Sequence, residues 1–475
     1  MFARLVYRHH KRKLTIYLGN YDIMGTQTTH YTGPSFLTEA DEPTDRVRCP
    51  IHGFIRYSVN ERKIINHTIF QRLRSIRQLA LTEYVYPGAT HTRFGHSIGV
   101  MEVATQAFDS LASKKGDLLE DTFRSVVGME SDTLAKARQI LRLAALLHDV
   151  GHVAFSHAAE AALHEDSGHE ELSQIIINEP ELLGGTLTSI FGDQVPKFAA
   201  SLISKTGPPP QLKVLKDLID GQLDADRTDY LIRDSLYCGV DYGRFDYRRM
   251  LDSLDIYDDN GILEIALKRE GIHTFEALIL ARYQMSVQVY YHRLRRIYDQ
   301  YLINYFTSLE KGLPTSTTEL LELNDFAALE QIRKDAADSS LPQHTWAKRI
   351  ALRHHHREIF ATGMDARATD LKRARNVALR LKNEYTDVDI IDDLARAQVH
   401  KLLLPADADD NGRVDVKLIR PYGIQISIAE ESQLLRDLTR EFQCVRIFAD
   451  VDPQSDLRIQ MSRRAQAIWR DLGGQ

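Results

Sequence analysis

The sequence predicts a mostly α-helical protein, with a large helical core followed by a smaller C-terminal α+β lobe. Over residues 46 to about 300, apolar positions recur mostly at helical spacing, and the hydrophobic content of 43% in 475 residues is ample for a large core. Residues 312–400 are charged and also helical in pattern. Two later segments, 414–419 and 444–448, alternate or cluster as strands do, and a final helix follows them.

The helices of the core can be placed by their caps and their apolar spacing. Asp132 precedes a helix with one apolar face, and His148 continues that face. This face is formed by Leu134, Ala137, Leu141 and Ala144. The Gly-Pro-Pro-Pro run at 207–210 predicts a rigid loop. Further helices are predicted through 226–233 and, as one long element, over 274–309.

These elements divide the chain into three predicted regions. The first is an irregular N-terminal arm over residues 1–45, rich in Thr, Gly and Asp. The second is the helical core over 46–310, and the third is a C-terminal helical and α+β lobe over 311–475.

The composition limits the expected cellular compartment and binding partners. The net charge of -6 provides no general attraction to nucleic acid, which is not indicated as a partner. Three scattered cysteines favour a reducing compartment, so we predict a cytoplasmic location. No apolar run approaches the length of a membrane span, and no apolar stretch follows the basic N-terminal residues as it would in a signal peptide.

The segment 146–152 carries the strongest chemical signal, because an apolar helix face ends in His148 beside Asp149. A buried aspartate is costly unless its charge is compensated, and a divalent metal with imidazole and carboxylate ligands compensates it directly. The simpler alternative is a histidine at a helix C-terminus, facing the carbonyl end of the helix dipole. For an isolated His-Asp pair, that alternative is preferred.

Two other segments favour a functional site. Arg93 and His96 are three residues apart, so a helix would place them on one face. Downstream, one helix face would carry an acid, two phenols and a guanidinium, namely Asp226, Tyr230, Arg233 and Tyr237. A purely structural face seldom mixes those groups without apolar packing. Taken singly, His96 is more often a core histidine and Asp226 a surface acid.

The order of His96, His148-Asp149 and Asp226 resembles the H…HD…D signature of the HD superfamily. The likeness is more specific to its dNTP triphosphohydrolase branch, which includes animal enzymes with a sterile-alpha-motif domain and their bacterial relatives. Four ordered motifs carry it: FQRLRSIRQL at 70–79, YPGATHTRFGHS at 86–97, HDVGHVAFSH at 148–157 and DADRTDYLIRD at 224–234. The resemblance covers residues 47–300 and implies an all-helical HD phosphohydrolase core, often with a C-terminal lobe.

The resemblance implies a divalent metal held by four side chains: His96, His148, Asp149 and Asp226. The ligand mix suits Mn, Fe, Ni or Zn. Mg is a further candidate for this metal, and it is also expected on the substrate phosphates. The family's reaction releases a deoxynucleoside and intact triphosphate by attack on the α-phosphorus. Such a metal polarises the phosphate and lowers the pKa of a bound water.

The resemblance also implies groups that handle protons. The 5′-oxygen is a poor leaving group, and His157 is the expected general acid. Glu160 stands where the family commonly has aspartate and would orient His157, while His152 would donate to a phosphate. His169 and Glu170 resemble a His-Glu pair that shares the catalytic work, with an ordinary polar surface helix as the alternative.

Four basic residues are expected at the phosphates or the base. Arg93 would hold phosphate with its guanidinium fork. Arg227 replaces the family's usual lysine, and the two cations are not interchangeable. His292 and Arg293 would reach the base or a phosphate, with a basic helix face as the equally weighted alternative.

Four further residues are expected at the sugar of a dNTP substrate. Tyr230 and Asp234 resemble residues that hold the deoxyribose, and a tyrosine stacked under it would exclude a 2′-hydroxyl. Gln78 and Leu79 resemble the pair that reads the 3′-hydroxyl edge. This group favours dNTPs over the other HD substrates, which are nucleoside monophosphates, signalling nucleotides and nucleic-acid ends.

The family implies a homo-oligomer, either a dimer or a tetramer, and a nucleotide activator. Asn66 stands where the nucleotide-activated members carry an acid that recognises guanine. Asparagine lacks that charge, which argues against a guanine activator, while Arg74 keeps the option of a regulatory phosphate. A nucleotide-sensing regulatory protein is the alternative from a different functional class.

Overall fold

Helices form most of the chain in the computed structural model of the protein. The structure describes residues 43–128, 132–156, 160, 168–310, 312–314, 316–402, 415–438 and 441–473. The predicted arm over 1–45 therefore lies almost wholly outside the described residues. Within the described ranges, no helix combines the length and the apolar character needed to cross a membrane.

The helices are numbered in chain order. Up to residue 310 they are α1 (Val59–Ile65), α2 (Thr68–Gln71), α3 (Arg93–Val127), α4 (Thr133–Leu147), α5 (His169–Asn178), α6 (Gly185–Phe191), α7 (Gln194–Ile203), α8 (Lys213–Asp220), α9 (Ala225–Cys238), α10 (Tyr247–Ser253), α11 (Ile272–Met285) and α12 (Arg293–Thr307). Beyond it they are α13 (Thr317–Glu322), α14 (Asp325–Asp335), α15 (His344–Ala351), α16 (Ala368–Glu384), α17 (Ile428–Glu431), α18 (Gln433–Asp437) and α19 (Asp456–Asp471). The predicted mostly α fold class is confirmed.

The strands form three small sheets. In chain order they are β1 (Asp45–Cys49), β2 (Gly53–Tyr57), β3 (Leu254–Asp259), β4 (Ile262–Lys268), β5 (Arg357–Ala361), β6 (Ile390–Gln398), β7 (Lys417–Ile419), β8 (Gln425–Ser427) and β9 (Glu441–Ala449). The first sheet pairs β1 with β2, the second has the order β3-β4-β7-β8, and the third has the order β5-β9-β6. Because β4 pairs in parallel with β7, the second sheet joins segments on both sides of residue 310. The predicted domain boundaries stay a prediction.

The strand predictions were partly right. The segment 444–448 lies within β9, and α19 is the predicted final helix. Of the segment 414–419, residues 417–419 form β7 and residue 414 lies outside the described ranges. The helical reading of 46–300 missed two hairpins, β1-β2 and β3-β4, and the helical reading of 312–400 missed β5 and β6.

The long helix predicted over 274–309 is wrong as a single element. It is interrupted by a π-helical turn over Ser286–Tyr290, where the N–H of Tyr291 donates to the Ser286 carbonyl at 2.9 Å. His292 is then extended, and its Nδ1 accepts from the N–H of Leu294 at 3.3 Å as the N-cap of α12. Local capping therefore starts a second helix where the apolar spacing alone predicted continuity.

The core consists of three clusters of buried side chains. The largest packs α3 and α4 together with α7 to α11, and almost every residue of α4 is buried. A second cluster joins α12, α14 and α15 to Val153, Ala154 and Phe155, which follow α4. The third lies between the β5-β9-β6 sheet and the helices α16 and α19. The segment after α4 is thus packed between elements that are distant in sequence.

Candidate metal centre and active site

The ends of three packed helices bring the predicted ligands together. His96 lies in the first turn of α3, His148 is the C-cap of α4, and Asp226 lies in the first turn of α9. Asp149 follows His148 directly and is 4% exposed. Because α3 contacts both α4 and α9, four side chains that are far apart in sequence converge on one point.

Both histidines present Nε2 to this point, because Nδ1 of each is held elsewhere. Nδ1 of His96 lies 2.8 Å from Oδ2 of Asp229, and Nδ1 of His148 lies 2.8 Å from the carbonyl oxygen of Ala145. A carboxylate or carbonyl oxygen can only accept, so each Nδ1 carries a proton and each Nε2 is the ring nitrogen left to face the centre. Nε2 of His148 is buried and has no hydrogen-bond partner among the described residues.

The carboxylates approach the same two nitrogens. Oδ1 of Asp226 lies 3.0 Å from Nε2 of His96 and 3.7 Å from Nε2 of His148. Asp149 places Oδ2 3.6 Å from Nε2 of His96 and Oδ1 3.4 Å from Nε2 of His148. Ligand atoms of His96, His148 and Asp149 all lie within 4.8 Å of one another. Two imidazole Nε2 atoms and two carboxylates aimed at one point fit a divalent cation, which would replace the protons on those nitrogens.

The electrostatics of the cluster favour a cation as well. Burial by itself lowers the pKa of His96, but hydrogen bonds and charges from Asp226 and Asp229 raise it to about 10. Burial likewise raises the pKa of Asp149, yet Arg93 and the neighbouring histidines hold it well below its ordinary range. The carboxylates therefore stay ionised, and either a proton or a metal must balance them.

Asp229 is the centre of a buried network that orients His96. Its Oδ1 accepts from Nε2 of His52 at 2.6 Å, and Arg233 donates to both of its oxygens at 2.7 and 2.9 Å. An added Cβ at Gly99 would lie 2.0 Å from Oδ1 of Asp229, so α3 needs a glycine there for this carboxylate to reach His96. Outer hydrogen bonds of this kind fix the ring orientation of metal-binding histidines.

The sequence reasoning did not single out Asp229 or His52. For Asp229 the signal was present, because Asp229 and Arg233 are four apart and face each other on α9. The contact of His52 with Asp229 spans 177 residues, and only the fold reveals it.

Arg93 lies beside the candidate metal centre. Its Nη1 donates to Oδ2 of Asp149 at 2.5 Å, and its Nε donates to Oγ of Ser156 at 2.8 Å. The guanidinium is buried, with Arg93 4% exposed. The structure thus brings this predicted phosphate-binding residue next to a predicted metal ligand.

Arg282 is a second cation near the site, and unlike Arg93 it was not predicted from the sequence. It lies on α11, which packs against α9, and it interacts electrostatically with Tyr230, Arg227 and Asp226. Burial, together with the charge of Arg227, lowers the pKa of Arg282. In the part of the chain that the structure describes, its guanidinium makes no direct hydrogen bond or ion pair, and the carboxylates of Asp224 and Asp226 act on it only at longer range. A guanidinium within the apolar run 278–285 was the signal in the sequence.

His152, Glu160 and His169 form a second group beside the first. Nδ1 of His152 lies 2.5 Å from Oε1 of Glu160, and Nδ1 of His169 lies 3.2 Å from Oε2. The two imidazole rings stack with centroids 3.9 Å apart, and Nε2 of His152 is 3.3 Å from Oδ1 of Asp149. Burial, with the charges of Arg93 and His169, lowers the pKa of His152 to about 4.

Of the residues predicted near this group, Glu170 makes a different contact in the structure. Glu170, adjacent to His169, approaches Lys205 at 3.8 Å instead. His157 lies outside the described residues, so its predicted role as general acid stays a prediction.

The predicted sugar-binding residues lie on α9 and in the segment before α3. Asp234 uses both carboxylate oxygens within the protein, contacting Nε2 of His91 at 2.7 Å and accepting from the Tyr290 hydroxyl at 2.8 Å. Tyr230 packs edge-to-face on Tyr290, and burial raises the pKa of Tyr230 to about 12.

Gln78 and Leu79 lie close to the start of α3. The N–H of Gln78 donates to the His91 carbonyl at 3.0 Å, and its Oε1 is buried without a hydrogen-bond partner among the described residues. Leu79 is 6% exposed. The amide of Gln78 therefore has an acceptor left for a ligand.

Three basic residues predicted to bind phosphate or base contact other protein groups in the structure. Nη1 of Arg227 donates to Asp224 and to the Gly221 carbonyl. The His292 ring caps α12, and the half-exposed Arg293 approaches Glu358 of β5 at 4.0 Å. For these side chains to bind phosphate or base, the existing contacts would have to break.

Comparisons with known proteins identify the family. Residues 93–231 match the HD domain, and residues 245–438 match the HD associated region. Uncharacterized protein YwfO of Bacillus subtilis is 36% identical over 250 residues, which is 52% of each chain. The deoxynucleoside triphosphate triphosphohydrolase SAMHD1 homolog of Dictyostelium discoideum is 29% identical over 56% of this chain and 49% of its own length.

A solved structure extends the likeness to most of the fold. The crystal structure of a hypothetical protein from Aquifex aeolicus matches with a TM-score of 0.70 and 25% identity, covering 89% of this chain and 99% of that one. By contrast, the chain spans about half the length of the curated relatives YwfO and SAMHD1 homolog. The chain therefore belongs to the HD-domain superfamily, in the branch that resembles the deoxynucleoside triphosphate triphosphohydrolases.

Proposed function

We propose that the protein hydrolyses deoxynucleoside triphosphates to deoxynucleoside and triphosphate, with a divalent metal held by His96, His148, Asp149 and Asp226. The observation that carries the proposal is the convergence of these four side chains beside the buried guanidinium of Arg93. The similarity to SAMHD1 proteins supports the substrate class. Bound in the centre, the metal would polarise the phosphate and activate water.

The chain's own residues would bind and orient the triphosphate. Arg93 and Arg282 supply two guanidinium groups in a poorly solvated site, where charge-assisted hydrogen bonds to phosphate are strong. The carboxylate of Asp229 keeps the Nε2 atom of His96 facing the centre. Glu160 holds the Nδ1 proton of His152, and His157 is proposed to protonate the leaving 5′-oxygen.

The sugar would lie near Tyr230 and Gln78. The Tyr230 ring is held against Tyr290, and Tyr290 is fixed in turn by Asp234. Asp234 therefore acts in this proposal by holding the aromatic rings rather than by a direct bond to the sugar. With the Tyr230 ring fixed in this way, a sugar packed against it has little room for a 2′-hydroxyl, which favours deoxynucleotide substrates.

Two further predictions concern assembly and regulation. A homo-oligomer and a nucleotide activator stay expectations from the family resemblance. Arg74 would be the contact for a regulatory phosphate, and it stacks on the Phe94 ring with its guanidinium carbon 3.5 Å from the ring centroid. Phe94 lies between Arg93 and His96 in the first turn of α3, so a ligand at Arg74 would lie close to the metal centre.

The proposed substrate is tested by separating products by anion exchange after incubation with each dNTP and Mn²⁺ or Mg²⁺. ATP and GTP are the controls, and mixed dNTPs are included as activators. Deoxynucleoside with intact triphosphate supports the proposal, and the four rates give the base preference. If none of the triphosphates is turned over, the substrate would instead be a nucleoside monophosphate, a signalling nucleotide or a nucleic-acid end, or the protein would be a nucleotide sensor.

The role of Arg282 is tested by replacing it with alanine and with lysine. The alanine variant is expected to raise the KM for the dNTP about 10- to 100-fold, since one charge-assisted hydrogen bond contributes about 1.5–3 kcal/mol. Lysine should recover part of the loss, because it keeps the charge but not the planar fork.

The matched control for Arg282 is Arg269→Ala. Arg269 is exposed, pairs with Glu431 and lies just before α11. Steady-state kinetics of folded variants should show no change for this control. An unchanged KM in Arg282→Ala would remove Arg282 from the phosphate site.

A further inference from the structure

We propose that Asp325, at the start of α14, is a positioning residue that holds the segment after α4 in its catalytic shape. This segment, residues 149–156, is called the catalytic loop below. The inference rests on the proposed function, because it concerns the same site. It adds a residue from the last third of the chain. Among the described residues, the Asp325 carboxylate accepts from backbone N–H groups and makes no hydrogen bond to a metal ligand or to a side chain proposed to bind substrate.

The catalytic loop has a backbone shape that needs outside support. Phe155 and Ser156 have φ values of 55° and 53°, in the left-handed region that residues other than glycine rarely adopt. Two such residues in succession persist only when surrounding contacts hold them there. Phe155 is 1% exposed, so water cannot pair its backbone groups.

Asp325 supplies that support through both of its oxygens. Oδ1 accepts from the backbone N–H of Phe155 at 2.8 Å, and Oδ2 accepts from the backbone N–H of Arg77 at 2.9 Å. Asp325 itself is 1% exposed. One buried carboxylate thus ties the catalytic loop to the residue directly before Gln78, on the proposed sugar side.

Arg72 holds the other end of the loop and links it to α13. Arg72 donates from Nη1 to the carbonyl of Val150 at 2.8 Å and from Nη2 to the carbonyl of His152. Its Nε donates to the carbonyl of Leu321 in α13 at 2.8 Å. The last turn of α13 and the first turn of α14 therefore hold the loop at both ends, the first through Arg72 and the second directly through Asp325.

The loop in turn holds the groups that act on substrate. Oγ of Ser156 accepts from Nε of Arg93, and Arg93 pairs with Asp149. A shift of Phe155 and Ser156 would therefore reach Arg93 and Asp149, although Asp325 bonds to neither. This chain of contacts makes Asp325 a positioning residue.

The test compares Asp325→Asn with Asp335→Asn. Asparagine keeps the size of the side chain, but its NH₂ group would face one of the two backbone N–H donors. Asp335 lies on the same helix, is 2% exposed and accepts from Tyr305 and Gln343, which are not in the catalytic loop. Both variants lose one buried acceptor, so a merely structural effect should be similar in the two.

In Asp325→Asn we expect kcat to fall about 10- to 100-fold with KM within about threefold, because small misplacements of catalytic groups cost this much. Asp335→Asn should keep the wild-type kcat. Hydrogen–deuterium exchange should show lost protection at Phe155 and Arg77 only in Asp325→Asn. Rates are measured well below the unfolding temperature of each variant.

Two results would overturn the assignment. One is a folded Asp325→Asn variant that keeps protection at Phe155 and Arg77. The other is an equal loss of kcat in both variants. If the wild-type protein turned over no dNTP, the proposed function would fail, and the exchange experiment would still decide whether Asp325 holds the loop.

Discussion

Asp149→Ala is expected to lose the metal from the centre and to lower kcat/KM at least about a thousandfold, or about 4 kcal/mol of transition-state stabilisation. Asp149 faces both histidine Nε2 atoms, and it also holds Arg93. Its removal therefore takes away one metal ligand and the partner of a proposed phosphate-binding residue.

The metal and the activity are measured separately for this variant. Metal per chain is determined by elemental analysis after Mn²⁺ loading and desalting, and the helical content is followed by circular dichroism. The fold should remain largely intact, and Asp335→Asn should bind metal like the wild type. Full activity in Asp149→Ala would mean that the metal assignment is wrong.

Glu61→Gln is expected to lower the free energy of unfolding by about 3–5 kcal/mol, because it leaves Arg142 buried without its carboxylate partner. Arg142 donates to Glu61 at 2.6 and 2.9 Å and to the Thr105 hydroxyl at 2.6 Å. Both ionic side chains are 5% exposed. The pair joins α1 to α4, far in sequence from each other but within one core.

The same pair predicts how stability depends on pH. Burial by itself raises the pKa of Glu61, but the charge and hydrogen bonds of Arg142 bring it below the ordinary 4.5. Its contribution to stability is therefore fully present above about pH 4.5 and is lost as the pH falls through the lowered value. Urea denaturation of the wild type and Glu61→Gln between pH 7 and pH 3 should show the difference shrinking in acid.

Glu384→Gln is the control for the stability prediction. Glu384 accepts from Arg464 at 2.6 and 2.7 Å, but both side chains are largely solvated. Water screens such a pair, so the midpoint of unfolding should hardly move. If Glu61→Gln behaved like this control, the buried pair would not contribute to stability as argued.

Local patterns in the sequence predicted the helical core, and the resemblance to the HD superfamily implied the set of proposed metal ligands. The apolar face of α4 and the spacing of Arg93 and His96 are short-range features, and the order of the motifs supplied the rest. The β3-β4 hairpin could also have been predicted, because the Asn-Gly pair at 260–261 is a strong signal for a hairpin turn. In the structure, Asn260 and Gly261 take the positive φ values that this turn requires, 55° and 88°. That signal was overlooked in a segment read as helical.

Long-range contacts could not be predicted from the sequence. Asp229 meets His52 across 177 residues, and Asp325 meets Phe155 across 170. The orientation of Arg227 toward Asp224 depends on the N-terminal cap of α9, which motif matching does not include. Residue types and motifs therefore indicated the centre, whereas the surrounding network depends on the packing of distant elements.

An isotope measurement shows whether water attacks the α-phosphorus, as the proposed hydrolysis requires. Wild-type protein is incubated with a dNTP in ¹⁸O-labelled water, and the products are analysed by mass spectrometry. We predict triphosphate carrying one ¹⁸O atom together with unlabelled deoxynucleoside. Label in orthophosphate or pyrophosphate, with a deoxynucleotide as the other product, would place the attack on another phosphorus and contradict the proposed hydrolysis.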